Sequence, residues 1–231
     1  MSKPVPDGRV AVAWRVVPIA FALLLGVNVV ALAVLGRMGG QAEGDRVQIT
    51  WQAPCAAQAL PVMQERGTSL GLGDPRWSVQ GERITLVATL PGLEDDRQSV
   101  PALLGRPGLL QVKLGDQVLA THLDLDRARL ELDDSGMPMT QLTLQPEVGE
   151  RVAQAVELAP EGELLFLLDG EELARRPNTI KVLDHQLKVI PGEGTTRVRM
   201  KRATDRAILL DHGSLDCTPQ LLGVDPAAPS E

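Results

Sequence analysis

The sequence predicts an α+β domain attached to a single N-terminal transmembrane helix. Three features of the chain predict this fold class: an uncharged apolar run near the N-terminus, short segments in which apolar and polar residues alternate, and helical spacing of apolar residues between those segments. The length of 231 residues is enough for an anchor and one or two small domains. The net charge of −7 and the low aromatic content, with three Trp, two Phe and no Tyr, argue against nucleic acid as a partner.

The apolar run covers residues 16–36 and contains no charged side chain. A helix of about 20 apolar residues spans a bilayer, so we expect a transmembrane helix here. Basic residues precede the run, at Lys3, Arg9 and Arg15. By the positive-inside rule, residues 1–15 are then cytoplasmic and the body of the chain lies on the other side of the membrane. The alternative is a cleaved signal peptide, because Ala31-Leu32-Ala33 has the form of a cleavage site, and either interpretation exports the body.

The first part of the exported body, residues 46–115, alternates between strand and helix patterns. After a Gly-rich linker at 37–45, the predicted elements are a strand at 46–52, a helix at 55–72, strands at 77–80 and 83–90, a helix at 93–104 and a strand at 109–114. Pro61 is expected to open the regular part of the first helix, and Pro101 to kink the second helix or break its last turn. This β-α-β-β-α-β order is the ferredoxin-like order.

The second part of the body, residues 116–200, has the same mixed character. Alternating or continuous apolar residues predict strands around 123–132, 142–144, 164–168, 180–182 and 187–189. Valines at helical spacing from Val148 to Val156 predict an amphipathic helix, and Asp169-Gly170 predicts a hairpin turn. A last helix is expected to contain Ala203 to Leu210, and the small polar residues 225–231 are expected to be disordered.

Two blocks of short motifs in the middle of the chain carry a family resemblance. The first block comprises Leu70-Gly71-Leu72-Gly73-Asp74-Pro75, Gln80-Gly81, Leu90-Pro91-Gly92 and Leu104-Gly105-Arg106-Pro107-Gly108. The second block comprises Gly136-Met137-Pro138-Met139, Leu168-Asp169-Gly170-Glu171 and the segment from Ala207 to Leu215. With these motifs in this order, the chain resembles SecD and SecDF, the protein-export membrane proteins that assist the Sec translocon, from about residue 62 to residue 222.

The resemblance implies the first transmembrane span and the first periplasmic domain of such a protein. In that arrangement residues 46–115 form a ferredoxin-like base, residues 116–200 form an inserted α+β head subdomain, and residues 201–224 form a closing helix and strand of the base. The implied location is the bacterial inner membrane, with one span, a cytoplasmic N-terminus and a periplasmic body.

The resemblance also implies a role and a set of partners. The expected function is accessory to Sec-dependent protein export, through binding of exported polypeptides or Sec translocon components, with the lipid bilayer contacted through the anchor. The family's later spans carry its proton pathway, whereas this sequence stops at Glu231, so we expect no proton-driven activity of its own. The alternative is a diverged structural or assembly protein of the cell envelope, because a fold does not fix a function.

No catalytic, cofactor-binding or metal-binding residue is predicted, and no small-molecule substrate is expected. Ser69, Ser99 and Ser135 lie outside any G-x-S-x-G motif, and Gly71-Leu72-Gly73 is too short for a dinucleotide-binding loop. The three histidines have no short-spaced partner of the kind that a metal site needs, so we expect them at the surface: His122, His185 and His212.

Two clusters of charged residues have a structural and a functional interpretation. The acidic cluster is expected to be the solvated face of strands rather than a calcium site or an acid/base pair, and it consists of Asp124, Asp126, Glu131, Asp133 and Asp134. The basic cluster is expected to be a solvated strand edge or, alternatively, a contact for lipid headgroups or an acidic partner, and it consists of Arg197, Arg199, Lys201 and Arg202.

The two cysteines, Cys55 and Cys217, follow the first strand and the last helix, where the chain is expected to return to the base. Exported thiols meet an oxidising environment, so a disulfide between Cys55 and Cys217 is one prediction. The other is a pair of buried, unpaired thiols that behave as small apolar side chains.

Overall fold

The computed structural model describes residues 45–91, 94–159, 161–177 and 185–227. The predicted anchor at 16–36, nearly all of the linker and the predicted strand at 180–182 lie outside these residues. Within the described ranges, no helix is both long enough and apolar enough to cross a bilayer. All described residues belong to one compact unit, Gly44–Glu231.

The described residues form eleven strands, four α-helices and a short 3-10 turn at His122–Asp124. In chain order the elements are β1 (Arg46–Gln52), α1 (Ala56–Ser69), β2 (Gly73–Gln80), β3 (Arg83–Thr89), α2 (Glu94–Gly105), β4 (Leu110–Leu114), β5 (Gln117–Thr121), β6 (Leu125–Leu132), β7 (Pro138–Leu144), α3 (Pro146–Leu158), β8 (Glu163–Leu168), β9 (Glu171–Pro177), β10 (Gln186–Val189), α4 (Thr196–Asp211) and β11 (Gln220–Pro226). The α+β class predicted from the sequence is confirmed.

The first sheet, which with α1 and α2 we call the base, has the strand order β11-β1-β3-β2 and is antiparallel throughout. Alternation on β1 and β3 turns one side of each strand inward, as in the facing pairs Ile49 with Leu86 and Trp51 with Ile84. Met63 of α1 is fully buried in the same core, so the helix covers that face of the sheet. Gly81, with φ of 60°, makes the predicted hairpin between β2 and β3.

The strand predicted at 109–114 does not complete the base, because it belongs to a different sheet. The observed strand β4 pairs with β8 and β5, and the place beside β1 is taken by β11 from the end of the chain. The reason is that β4 buries Leu110 and Val112 against the apolar strand β8, with Leu110 opposite Leu168. The predicted disorder of residues 225–231 is also corrected at its start, because β11 pairs with β1 as far as Pro226.

The remaining elements, which we call the head, form two further sheets of order β5-β4-β8-β9 and β10-β7-β6. The amphipathic helix α3 buries Val148, Val152 and Val156 in the head core, as its spacing predicts. Helix α4 buries Leu209 and Leu210 in this core and receives a hydrogen bond at the carbonyl of Ala203 from Thr140 Oγ1 of β7, at 3.2 Å. It therefore packs on the head rather than closing the base, which corrects the helix part of the expectation for residues 201–224, whereas β11 does join the base sheet beside β1.

The prediction for Pro61 and one of the two alternatives for Pro101 need correction. Helix α1 begins at Ala56, five residues before Pro61, and its first turn is closed by a hydrogen bond from Ala59 N to Cys55 O at 2.8 Å. Pro61 lies on the exposed side of the helix, where water can bind the carbonyl of Ala57 that the missing N–H leaves free. Helix α2 continues through Pro101 to Gly105, so its last turn is not broken.

Candidate functional site

A groove of about 740 Å³ opens where the end of α1, the end of β3, helix α2 and helix α4 meet. We call it the α4 groove. Its apolar lining comprises Leu70, Pro91, Val100, Val198, Met200 and Ile208. Val198 is 40 % exposed, which is unusual for a valine in a lining of this kind and leaves apolar surface uncovered. The groove can therefore accept an apolar segment.

The polar rim of the groove comes from the first turns of α4. Thr195 begins this helix, because its side chain accepts a hydrogen bond from Val198 N at 3.4 Å. Lys201 and Asp205, one turn apart on the same side, form an ion pair at 3.3 Å at the edge of the groove. The groove thus combines an apolar floor with a rim of opposite charges.

The junction between base and head lies next to the groove and is built around Arg66 of α1. This side chain is fully buried, and its two terminal nitrogens donate to five backbone carbonyls, those of Leu104, Arg106, Pro107, Leu209 and Gly213. These carbonyls stand at the C-terminal ends of α2 and α4, which leave carbonyls unpaired and favour a cation. Arg66 therefore caps the C-terminal ends of two helices: α2, after which the chain enters the head, and α4, after which the chain leaves it.

Burial has an electrostatic cost at Arg66. It lowers the pKa of Arg66 to about 10, while the negative charge of Asp169 acts in the opposite direction. The guanidinium remains charged at neutral pH, because this pKa is still well above 7. Only the Nε–H lacks a partner within the described part of the chain.

The two chain crossings between base and head touch each other at the junction. Leu215 N donates to Pro107 O at 2.8 Å, which joins the outgoing segment to the incoming one. Gly108 has φ of 79°, and a Cβ there would lie 2.9 Å from Arg66 Nη2. Glycine is required at this position both by the backbone conformation and by the close approach of the guanidinium.

A second set of contacts ties the β8–β9 hairpin to the junction. Asp169, at the hairpin turn, accepts from Arg106 Nε at 2.9 Å and from Leu109 N at 2.8 Å. Glu171 accepts from Arg106 Nη2 at 3.1 Å. The positive φ of Asp169 and of Gly170, 54° and 83°, fits the predicted two-residue turn.

The cysteines are joined by a disulfide, with Cα atoms 5.9 Å apart. Cys55 immediately precedes α1, and Cys217 lies shortly before β11. The whole head lies between them in the sequence, so the bond fixes the C-terminal strand to the base independently of the head.

The histidines are spread over three places. His122 lies in the 3-10 turn, and His185 lies in a turn with φ of 61° against Gly149. His212 ends α4 with Nε2 2.6 Å from Ser69 Oγ and Nδ1 3.5 Å from Glu65 Oε2. All three are half-buried rather than fully exposed, and His212 makes a contact between helices that its position in the sequence did not indicate.

The acidic cluster does not converge on one point. Asp124 accepts from Thr121 N at 2.7 Å within the 3-10 turn. Asp133 closes the β6–β7 turn by accepting from Ser135 and from Met137 N, and these hydrogen bonds, that of the Ser135 hydroxyl first, lower the pKa of Asp133. Among the residues that the structure describes, no group of His, Cys, Asp and Glu is arranged to hold a metal ion.

The basic cluster lies in the first two turns of α4 rather than on the predicted strand edge. Its members are Arg197, Arg199, Lys201 and Arg202. The cap at Thr195 starts the helix before them, and α4 has an apolar side that packs on the head sheet. Arg197 and Lys201 border the α4 groove, so part of this cluster belongs to the candidate site.

Known proteins are similar to this chain in sequence and in fold. The SecD subunit of protein translocase from Acidaminococcus fermentans is 27% identical over 159 residues, which cover 68% of this chain and 36% of the relative. A crystal structure of SecDF in a super-membrane-facing form matches with a TM-score of 0.63 at 19% identity, over 90% of this chain and 35% of SecDF. The resemblance to SecD and SecDF is confirmed.

A further solved structure belongs to a membrane component SecDF that enhances protein export. It matches the SecD-like chain with a TM-score of 0.59 at 21% identity, over 76% of this chain and 98% of that one. At such identities the two structures show the fold alone. No protein-family profile matches the chain, which spans about a third of the length of the curated SecD relative.

The residues that organise the SecD-like junction were not identified from the sequence. Arg66 falls on the buried side of α1, in line with Ala56, Ala59 and Met63. A charged residue in register with an apolar stripe was therefore the available signal, because such residues are rarely buried without partners. Nothing in the sequence indicated that the partners would be carbonyls from two distant helices.

Proposed function

We propose that this chain is a membrane-anchored SecD-like module that assists Sec-dependent protein export by binding exported polypeptide or a translocon component. The identity to a SecD subunit supports an export role, and the SecDF structures support the fold on which it would act. The disulfide supports a location outside the cytoplasm, since such bonds persist in oxidising compartments. In this proposal residues 16–36 form the single span, with residues 1–15 cytoplasmic and the body periplasmic.

The α4 groove is the surface that carries the proposal. Exported polypeptides are unfolded during passage and expose apolar side chains, whose removal from water is favourable. An open groove with an apolar floor and an exposed Val198 offers such a segment a place to bind. The occupant we assign to it is a short apolar segment of an exported chain.

Catalysis is not part of this proposal, although Ser69 at the groove contacts His212, which in turn lies near Glu65. The separation of 3.5 Å between His212 Nδ1 and Glu65 Oε2 is long for a hydrogen bond, and Glu65 is largely exposed to water. A nucleophile needs a base held in a fixed orientation and a site that excludes water. We propose that this contact fastens the end of α4 to α1.

In-cell photo-crosslinking tests the function. A photoreactive amino acid replaces Val198 in the groove, and the matched control replaces Val118, an exposed valine on β5 that does not line the groove. We expect crosslinks to exported precursors or Sec components from position 198 and none of these from position 118.

Two results would contradict the proposal. Equal crosslinking from both positions would show that the groove is not the binding surface. Crosslinks from Val198 only to envelope-assembly proteins would replace the export role with the alternative, a structural or assembly protein of the envelope.

A further inference from the structure

A second, smaller cleft of about 350 Å³ lies between α2, α4 and the β8–β9 hairpin, apart from the floor of the α4 groove. We call it the arginine cleft. Its apolar lining includes Leu103 and Leu173, and its charged lining comprises three arginines and three acids: Arg106, Arg202, Arg206, Glu171, Glu172 and Asp205. An arginine that has no acidic partner in such a wall suits an anionic group that is attached to an apolar body.

Most charges in the wall of the cleft already have partners. Arg106 pairs with Asp169 and Glu171. Glu172, also in the wall, pairs with Arg175 at 2.9 Å. These pairs cancel locally and leave little charge for a ligand.

Two further charged residues of the wall lie on α4. Asp205 pairs with Lys201 at 3.3 Å. Arg202, which is exposed, donates to the neutral backbone carbonyl of Glu193 at 2.8 Å and stays in contact with water. The carboxylates of the wall are thus engaged with cations other than Arg206 within the described part of the chain.

Arg206 is the exception in the cleft. The Arg206 side chain is half-buried, but its Nη1 is buried and has no hydrogen-bond partner in the described part of the chain, and Ser99 Oγ in the same wall is likewise buried and without a partner there. Burial, followed by the positive charges of Arg202 and Arg106, lowers the pKa of Arg206, and no carboxylate contributes an opposing effect. A buried donor of this kind is costly unless a ligand pairs with it.

We propose that the arginine cleft binds a carboxylate carried on an apolar polypeptide segment, with Arg206 as the residue that pairs with it. The wall carries three arginines and three acids, so its charges nearly balance, and this favours a singly charged carboxylate over a phosphate dianion. Ser99 Oγ supplies a further donor in the same wall. That the carboxylate is carried by a polypeptide rests on the proposed function. That the cleft prefers a carboxylate rests on the residues of the cleft alone.

Calorimetric titration of the full chain in a neutral detergent tests this inference. The probes are two blocked tripeptides, acetyl-Leu-Glu-Leu-amide and acetyl-Leu-Gln-Leu-amide, which differ only in the central carboxylate. We expect the Glu peptide to bind about tenfold more tightly, the gain of one charge-assisted contact. The variant Arg206→Gln should bind both peptides equally, while Arg129→Gln, which removes an exposed charge on β6, should keep the preference.

Three results would overturn the inference: equal binding of the two peptides by the unchanged chain, a preference that survives Arg206→Gln, or displacement of the Glu peptide by inorganic phosphate at equal concentration. Unfolding curves followed by Trp fluorescence show whether Arg206→Gln is folded, and Arg206→Lys, which keeps the charge, should retain part of the preference. If the peptide test fails, the crosslinking test of the export role at Val198 is not affected. Conversely, a peptide preference without export crosslinks would keep the cleft and reject the export role.

Discussion

The junction and the arginine cleft each hold an arginine with buried nitrogen atoms, yet the surroundings of those atoms differ completely. Arg66 at the junction donates to five backbone carbonyls from two helix ends. Arg206 in the cleft has a buried nitrogen with no partner among the described residues. The first arrangement stabilises the fold, because the cation replaces water at carbonyls that no other donor reaches. The second costs stability, and such a cost is typical of a site that awaits a ligand.

The comparison shows that burial of a charge does not by itself distinguish structure from function. The decisive observation is whether the protein satisfies the buried donors with its own acceptors. By this criterion the junction is a structural element and the cleft is a candidate binding site. Substitution of the junction arginine should therefore lower the stability of the fold far more than substitution of the cleft arginine.

The largest effect is expected from the disulfide that encloses the head. The double variant Cys55→Ser/Cys217→Ser frees a loop of 162 residues, for which chain entropy gives a loss of about 5 kcal/mol in the free energy of unfolding, as an upper value. Trp51 and Trp77, stacked in the base with ring centroids 6.3 Å apart, report the unfolding by fluorescence. Maleimide labelling of the unreduced, denatured chain should find no free thiol, and two labelled thiols would refute the bond.

Arg66→Met should destabilise the chain by about 3–5 kcal/mol, because it leaves buried carbonyls at the ends of α2 and α4 without a donor. Arg66→Lys should recover only part of this loss, since an ammonium group cannot span two helix ends as the guanidinium does. Denaturant unfolding followed by Trp fluorescence measures both. A loss below about 1 kcal/mol for the methionine variant would mean that the junction does not depend on this cation.

The smallest effect on stability is expected at Arg206. Arg206→Met removes a half-buried cation whose buried Nη1 lacks an acceptor, so the free energy of unfolding should rise slightly or fall by no more than about 0.5 kcal/mol. The same unfolding experiment, run beside Arg66→Met, provides the measurement. A loss as large as that of the junction variant would erase the distinction between the two regions.

The sequence was most informative where local patterns decide structure. The hairpins at Gly81 and at Asp169-Gly170 and the amphipathic helix α3 follow from turn residues and apolar spacing. The family resemblance also followed from motifs, many of which contain glycines at positions with positive φ, such as Gly71 and Gly108. Local sequence constrains such positions strongly, because few other residues adopt these conformations.

The pairing of strands that lie far apart in the sequence was harder to predict. The alternating residues of β4 fit either sheet, and the choice depends on two distant strands: β8 gives β4 an apolar partner, and β11 occupies the edge of β1. The α4 groove and the arginine cleft assemble side chains from segments about 100 residues apart, such as Val100 and Val198 in the groove. Their apolar and charged members look like ordinary helix residues until the fold brings them together.

Pulse-chase labelling of precursor maturation tests most directly the claim that the α4 groove serves protein export. Cells lacking the chromosomal copy would carry the unchanged chain, Val198→Asp or the matched control Val118→Asp, each checked for equal abundance in the membrane. The account predicts that Val198→Asp slows maturation of exported precursors as much as complete loss of the protein, because a charge in the groove opposes apolar binding, and that Val118→Asp matures them at the normal rate. Normal maturation with Val198→Asp, in cells where loss of the protein slows export, would contradict the account.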